Sequence, residues 1–237
     1  MNKHNFSIVD VLLFGLTKTK EKYLYILQVM IFVGLALYIA RSVAQPVEVL
    51  IMLCLGISMT TVFLMISRGQ KTVFSDLFKK YKGYEVFVNY ILASLVFGVL
   101  VSVSMSLLII ALFVLGLLGL LSTLSTFSTG TLGTLLVLIP LMLPGIYVII
   151  RLQFYKFFVI DKDMGPIPAL KSSWKITKGH FWKLAQYLLV IAIINIAVGL
   201  LVNLGGNYFY ALLLVTIPVI AIASAYLYET LSGETEK

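Results

Sequence analysis

Few residues in this chain have the chemistry for a reaction, and none are spaced to act together. The two histidines, His4 and His180, sit in separate polar segments, and the single cysteine, Cys54, lies inside an apolar run. A metal centre or a Cys/His nucleophile needs such groups gathered at ligand or hydrogen-bond spacing. Neither is expected here, and no cofactor is. No Ser/His/Asp set, paired-carboxylate site or phosphate-cradling glycine loop can be assembled. The expectation is a protein that is not an enzyme.

What remains are polar groups embedded in apolar surroundings. Ionisable residues inside a membrane are costly and mark pairing or pathways. Arg151 stands near the end of an apolar run, where it can snorkel as an anchor or pair with a lipid phosphate, Asp161 or Asp163. Asn195 falls in the middle of another run, where a buried amide acts as interhelical glue worth about 1 kcal/mol. Ser94, Gly98, Ser102 and Ser106 recur every four residues, a small-residue stripe that admits a close helix. If the protein encloses a cavity, Asn195, Arg151 and Ser102 are its candidate lining.

The elements that must position these residues follow from composition. Of 237 residues, 60% are apolar and only 12% are charged, and the mean hydropathy is +1.04. Soluble domains carry about 25% charged residues. The apolar runs match helices crossing a ~30 Å hydrocarbon core, not the alternating strands of a barrel. The fold class is therefore an all-α polytopic membrane bundle, a single domain of six transmembrane helices with short amphipathic interfacial helices. The spans are expected at Tyr23 to Ala40, Val47 to Ile66, from Val86 onward, Leu132 to about Ile150, Leu184 to Val202 and Tyr208 to Tyr228. The third run is uncharged to Leu121, about 36 residues or roughly 54 Å as a straight helix. A long helix ending near Gly116 is preferred over a re-entrant piece across 107–121.

Charge gives the orientation. Lys3, Lys18, Lys20 and Lys22 precede the first span, and Arg68, Lys71, Lys79, Lys80 and Lys82 follow the second. Arg151, Lys156, Lys162, Lys171, Lys175, Lys178 and Lys183 lie between the fourth and fifth, whereas the alternate connections hold only Arg41. By the positive-inside rule both termini and both basic loops are cytoplasmic. The net charge of +8 then belongs to anionic lipid head groups, not to nucleic acid.

The stretch "ALKSSWKITKGHFWKL" at 169–184 has the layout of a joint. At 100° per residue Ile167, Ala169, Leu170, Trp174, Ile176 and Thr177 share a broad arc, with Lys171, Lys175 and Lys178 beside it. Pro166 and Pro168 suit a first turn and Gly179 a stop. An interfacial helix is expected, its lysines toward head groups and Trp174 at the boundary. "TVFSDLFKKYKGYEVF" at 72–87 has the same design, with Lys79, Lys80 and Lys82 on the polar side and Gly83 as the stop. "FSIVDVLLFGLTKTKEKYLY" at 6–25 is a more apolar version, with Ser7 and Asp10 resembling a capping box. These joints divide the chain into three expected units: 7–66, 72–121 with 132–160, and 166–230.

Residues 151–190, "RLQFYKFFVIDKDMGPIPALKSSWKITKGHFWKLAQYLLV", carry a resemblance. An Arg near a span end, an acidic turn, an A-L-x-x-S-W-x-(L/I)-(T/M)-K-G helix and an aromatic-led span follow in order. The pattern resembles the prokaryotic YciC-like family and the membrane domain of some glycerophosphoryl diester phosphodiesterases. The matching positions are Arg151, Asp161, Ala169, Leu170, Ser173, Trp174, Thr177, Lys178 and Gly179. The resemblance implies a six-helix bundle in the cytoplasmic membrane and carries no activity, because the phosphodiesterase catalytic domain has no counterpart in this sequence. The expected function is membrane organisation through basic amphipathic helices that engage membrane lipids and head groups, through Lys171, Lys175, Lys178, Trp174, Lys79, Lys80 and Lys82. Other membrane proteins or a second copy are the expected protein partners. The alternative is a small transporter or channel for a lipid or apolar solute.

Overall fold

Backbone N–H and C=O groups in hydrocarbon must bond one another, so long apolar runs fold as helices. The computed structural model describes residues 6–43, 45–82, 84–106, 108–111, 113–114, 116, 131–205 and 210–233. The long helices are α2 (Tyr23–Val43), α3 (Gln45–Ser67), α4 (Tyr84–Ser104), α5 (Thr131–Leu152), α8 (Phe181–Gly205) and α9 (Tyr210–Ser232). Between them lie α1 (Ile8–Glu21), a 3₁₀ helix (Phe74–Lys82), α6 (Tyr155–Asp161) and α7 (Pro166–Ile176). Among the described residues there is no strand. Six stretches are long and apolar enough to cross a membrane, the fourth running from Pro140 to Asp161 across α5 and α6. The chain is an all-α, multi-pass membrane bundle.

Beyond Ser104 the described residues 106, 108–111, 113–114 and 116 are helical. Met105 and Ile109 N–H groups bond the Val101 and Met105 carbonyls, so helical bonding continues past Ser104, where the third candidate span ends. The rest of the segment across 107–121 lies outside the described residues.

Buried side chains gather at one end of the bundle. Ile26 and Val29 begin α2, Val62 to Ser67 end α3, Phe157 to Ile160 fill α6, Leu184 and Tyr187 begin α8, and Ala225, Leu227, Tyr228 and Glu229 end α9. The opposite halves present apolar residues outward, among them Leu35, Tyr38, Val49, Met52, Val99, Val103, Ile196 and Leu200. Acyl chains are as apolar as these side chains, so such exposure costs nothing inside a bilayer.

The short elements depart from the periodicity reading in three ways. Ser7 is the N-cap of α1, but its side chain makes no capping bond; only its carbonyl is used, by Val11 N–H. α1 also buries Val11, Gly15 and Thr19, one residue per turn, and Phe14 stacks on Tyr226 of α9 at 4.1 Å between centroids. It is therefore a packed part of the bundle as well as an amphipathic lead-in. The segment after α3 winds as a 3₁₀ helix instead of an α-helix. At three residues per turn Phe74 and Leu77 fall on one row. Leu77 is buried with Ile26, Val29 and Ile66, Phe74 meets the Phe32 ring edge-on, and the Asp76 carboxylate accepts the Val73 N–H at the start.

The approach of α1 to α9 requires glycine at one position. A Cβ on Gly15 would stand 2.5 Å from the Val219 carbonyl oxygen and 3.1 Å from the Ala223 Cβ. Gly15→Ala should destabilise the protein by about 1–3 kcal/mol through overpacking. Gly34→Ala, which meets nothing within 4 Å, should leave the thermal midpoint in detergent unchanged.

Candidate functional site

The polar residues of the buried end form two clusters, and the first is an ion knot. α3 ends in a glycine stop: Gly69 has φ +66°, its N–H bonds the Ile66 carbonyl, and Gln70 N–H bonds the Met65 carbonyl. This double bond pattern satisfies the last carbonyls and fixes where Arg68 leaves the helix. The guanidinium meets both carboxylate oxygens of Asp161, each at 2.8 Å, and donates from Nε to Glu229 at 2.8 Å. Ser67 Oγ donates to the same Glu229 oxygen at 3.0 Å, and Tyr228 O–H donates to Asp161 at 3.2 Å. The hydrogen bonds to Asp161 lead in raising the Arg68 pKa above its ordinary value, with burial opposing them. One cation thus joins the ends of α3, α6 and α9. A polar recess of about 130 Å³ lies beside it, lined by Thr61, Leu64, Met65, Arg68, Gln70, Ile160 and Asp161.

The second cluster is a helix break stitched from outside. In a continuous helix the Arg151 carbonyl would accept Tyr155 N–H. Instead it accepts Ser173 Oγ at 3.0 Å and Thr177 Oγ1 at 3.2 Å, both from α7. Phe154 N–H, which would serve the Ile150 carbonyl, donates to Ser173 Oγ at 3.2 Å, and the Gln153 side-chain amide serves Ile150 instead. Two hydroxyls therefore replace backbone partners, allowing α5 to stop at Leu152 and α6 to start at Tyr155. The buried face of α7 is Ala169, Leu170, Ser173 and Thr177, while Ile167 and Trp174 are exposed. The buried residues fall inside the arc read from the wheel, with Ser173 between Ala169 and Thr177, and only Ile167 and Trp174 at its edge are exposed.

The Arg151 side chain is 6% exposed. Its guanidinium carbon sits 4.5 Å from the Trp174 ring centre and 5.9 Å from that of Tyr147. Tyr147 in turn meets Trp174 edge-on at 5.6 Å and Phe181 at 5.3 Å. Gly179, with φ +91°, turns the chain out of α7 toward His180, whose carbonyl accepts Leu184 N–H to start α8.

A family model for a domain of unknown function, DUF7847, matches residues 25–231. The chain belongs to that family. Comparison with curated proteins and with solved structures gives no match. The DUF7847 region takes in both clusters and leaves α1 outside.

Within the DUF7847 region the residues singled out from sequence divide among three places. Arg151, Ser173, Trp174 and Thr177 come together at the break, with Gly179 closing the turn. Asp161 does not join them; it turns to Arg68 in the ion knot. Lys171, Lys175 and Lys178 are exposed on α7. The side chains of Lys79, Lys80 and Lys82, and all of Gly83, lie outside the described residues. Asn195 is exposed and donates to the Ile191 carbonyl of its own helix at 3.0 Å, and Ser102 is exposed on α4. Ser94 holds Tyr155 at 3.1 Å, but further along the stripe a Cβ on Gly98 would meet nothing within 4 Å. The larger recess, about 330 Å³ and apolar, lies between α1, α8 and α9 around Leu12, Leu16, Ile194 and Val219.

Sequence reading passed over Glu229 and treated Arg68 only as a loop charge. A signal was present: Glu229 is the single acid in the last apolar run, three residues before its end. Arg68→Ala leaves the buried Glu229 and Asp161 without their cation. Because the Arg68 side chain is itself 31% exposed, the expected loss is about 2–3 kcal/mol, below the range for fully buried pairs. Thermal unfolding in detergent reads it, and Arg68→Lys, lacking the fork, should recover only part. Ser173→Ala removes the shared oxygen of the break and should cost about 1–3 kcal/mol in the same measurement.

Proposed function

We propose that this DUF7847 protein is a non-enzymatic organiser of the cytoplasmic membrane of a prokaryote, acting through basic joints that engage anionic lipid head groups. Both termini and the basic loops lie on the cytoplasmic side in this reading. The YciC-like pattern at 151–190 belongs to the same reading, as a kinship of the joint and not of an activity. The exposed apolar halves of α2, α4 and α8 face lipid, another membrane protein or a second copy.

The observation that carries the reading is the division of α7 into two faces. Ala169, Leu170, Ser173 and Thr177 are buried and bonded to the bundle, which leaves Lys171, Lys175 and Lys178 exposed together beside Trp174. Lysines held outward on a packed helix are placed for a surface and not for the core, and a polybasic surface near anionic lipid gains about 1 kcal/mol per residue. The order of short helix followed by two long ones occurs three times, at α1–α3, the 3₁₀ helix with α4–α5, and α7–α9. It supports a three-unit origin of the chain, with one basic joint per unit.

Mass spectrometry of lipids retained by the detergent-solubilised protein tests this. Phosphatidylglycerol should be retained over phosphatidylcholine at low salt, and the preference should fall roughly tenfold when Lys171, Lys175 and Lys178 are all changed to Glu. An unchanged preference sinks the lysine reading. Topology is tested by reporter fusions at residues 70 and 163, and an external reporter at either site refutes the orientation.

A further inference from the structure

We propose that the Arg151 guanidinium, beneath the Trp174 indole, is a binding site for a phosphate-type oxyanion supplied by the head group of a glycerophospholipid. The inference rests on the reading that α7 faces the head-group layer. It adds a specific coordination site to what is otherwise a diffuse field of lysines.

A guanidinium offers five N–H donors in a fixed plane and cannot lose its charge in a protein. Buried arginine is therefore normally matched by a carboxylate or by several carbonyl oxygens. Arg151 is 6% exposed, yet its Nε–H is buried with no hydrogen-bond partner. Among the described residues no carboxylate pairs with it, and Asp161, the obvious acid in sequence, is bound by both oxygens to Arg68. The two aromatic faces around the guanidinium compensate charge but not hydrogen-bonding direction. The geometry calls for an acceptor with two oxygens spaced to meet a guanidinium edge, which a phosphate supplies bidentately.

The surroundings favour a lipid as the source. Arg151 lies where α5 stops, beside the start of α8, and its ring neighbours Trp174 and Tyr147 are exposed at 39% and 41%. Trp182, one residue into α8, is 78% exposed. Tryptophan and tyrosine at span ends mark the head-group level, and the exposed Lys171, Lys175 and Lys178 share it on α7. The site is built and not incidental. Ser173 and Thr177 hold the Arg151 backbone through its carbonyl, so the side chain leaves a fixed point. Trp174, on the same turn as Ser173, acts as the cover, and a change of its rotamer opens the guanidinium to the head-group layer.

The chain has two tryptophans, so Trp182→Phe leaves Trp174 as its own reporter. Dihexanoylphosphatidylglycerol added to this protein in detergent should give a saturable change in Trp174 emission, whereas dihexanoylglycerol, which lacks the phosphate, should not. Equal responses to the two overturn the site without any change at Arg151. Arg151→Gln in the same background should weaken the response at least about tenfold, the scale of a lost charge-assisted contact, with Arg151→Lys between. Undiminished binding by an Arg151→Gln protein with a normal unfolding midpoint refutes the proposal. Sodium phosphate should compete with the phospholipid; saturation by phosphate with no response to phospholipid overturns the lipid source. Loss of the response in Arg151→Gln while the triple lysine variant keeps its lipid preference would retain this site and reject the lysine reading. The reverse result would reject the site and keep that reading.

Discussion

The bundle depends on one guanidinium shared by two carboxylates. Arg68 holds Asp161 through both oxygens and Glu229 through Nε, so the ends of the second, fourth and sixth candidate spans are tied at one point. Hydrophobic attraction between helices is weak where the solvent is itself apolar, and an ion pair with satisfied hydrogen bonds is one of the few specific contacts left. Tyr228 and Ser67 occupy remaining acceptor sites on the two acids. Around the knot, Phe157 stacks on Tyr228 and Phe158 meets it edge-on, which fixes the ring whose hydroxyl reaches Asp161. Among the described residues, most buried side chains gather at the end where that cation sits.

The helix break at Gln153–Phe154 serves the same arrangement. A continuous α5 would carry Asp161 along the same axis, with no reason to reach Arg68. Stopping α5 and restarting it as α6 redirects the chain, at the cost of backbone groups that hydrocarbon cannot satisfy. Ser173 and Thr177 satisfy them from α7, so α7 is required structurally before any function is assigned to its outer face. One short helix thus links the two clusters, with hydroxyls inward on the break and lysines outward.

Much of this was legible from residue order. Six apolar runs with basic residues on alternate connections specify helices in a membrane, because length and the burial of backbone polar groups leave no other solution. Pro166 at the start of α7 and Gly179 at its end were readable for the same kind of local reason, fixed φ in one case and positive φ in the other. The signature Arg151–Ser173–Trp174–Thr177 was also visible, and the fold brings those four residues to one place. Asp161 was grouped with them through the resemblance at 151–190, and the fold turns its carboxylate to Arg68. Asn195 and Ser102 looked like interior groups because they sit in apolar runs, but a membrane helix is apolar on its lipid side too. Periodicity there does not distinguish inside from outside.

By itself the sequence determined the class, the number of candidate spans and the positions of the joints, since each depends on local hydropathy, backbone torsion or chain length. The partners of its charges were decided only by the tertiary structure. Arg68 and Asp161 are 93 residues apart, and Arg68 and Glu229 are 161 apart; no local rule relates them. The same holds for Ser173: the wheel already sets it among Ala169, Leu170 and Thr177, away from the lysines, but its partners, the backbone groups of Arg151 and Phe154, come only from the fold. Spacing along a helix sets which side chains face inward, and how the chain folds back sets which backbone groups they meet there.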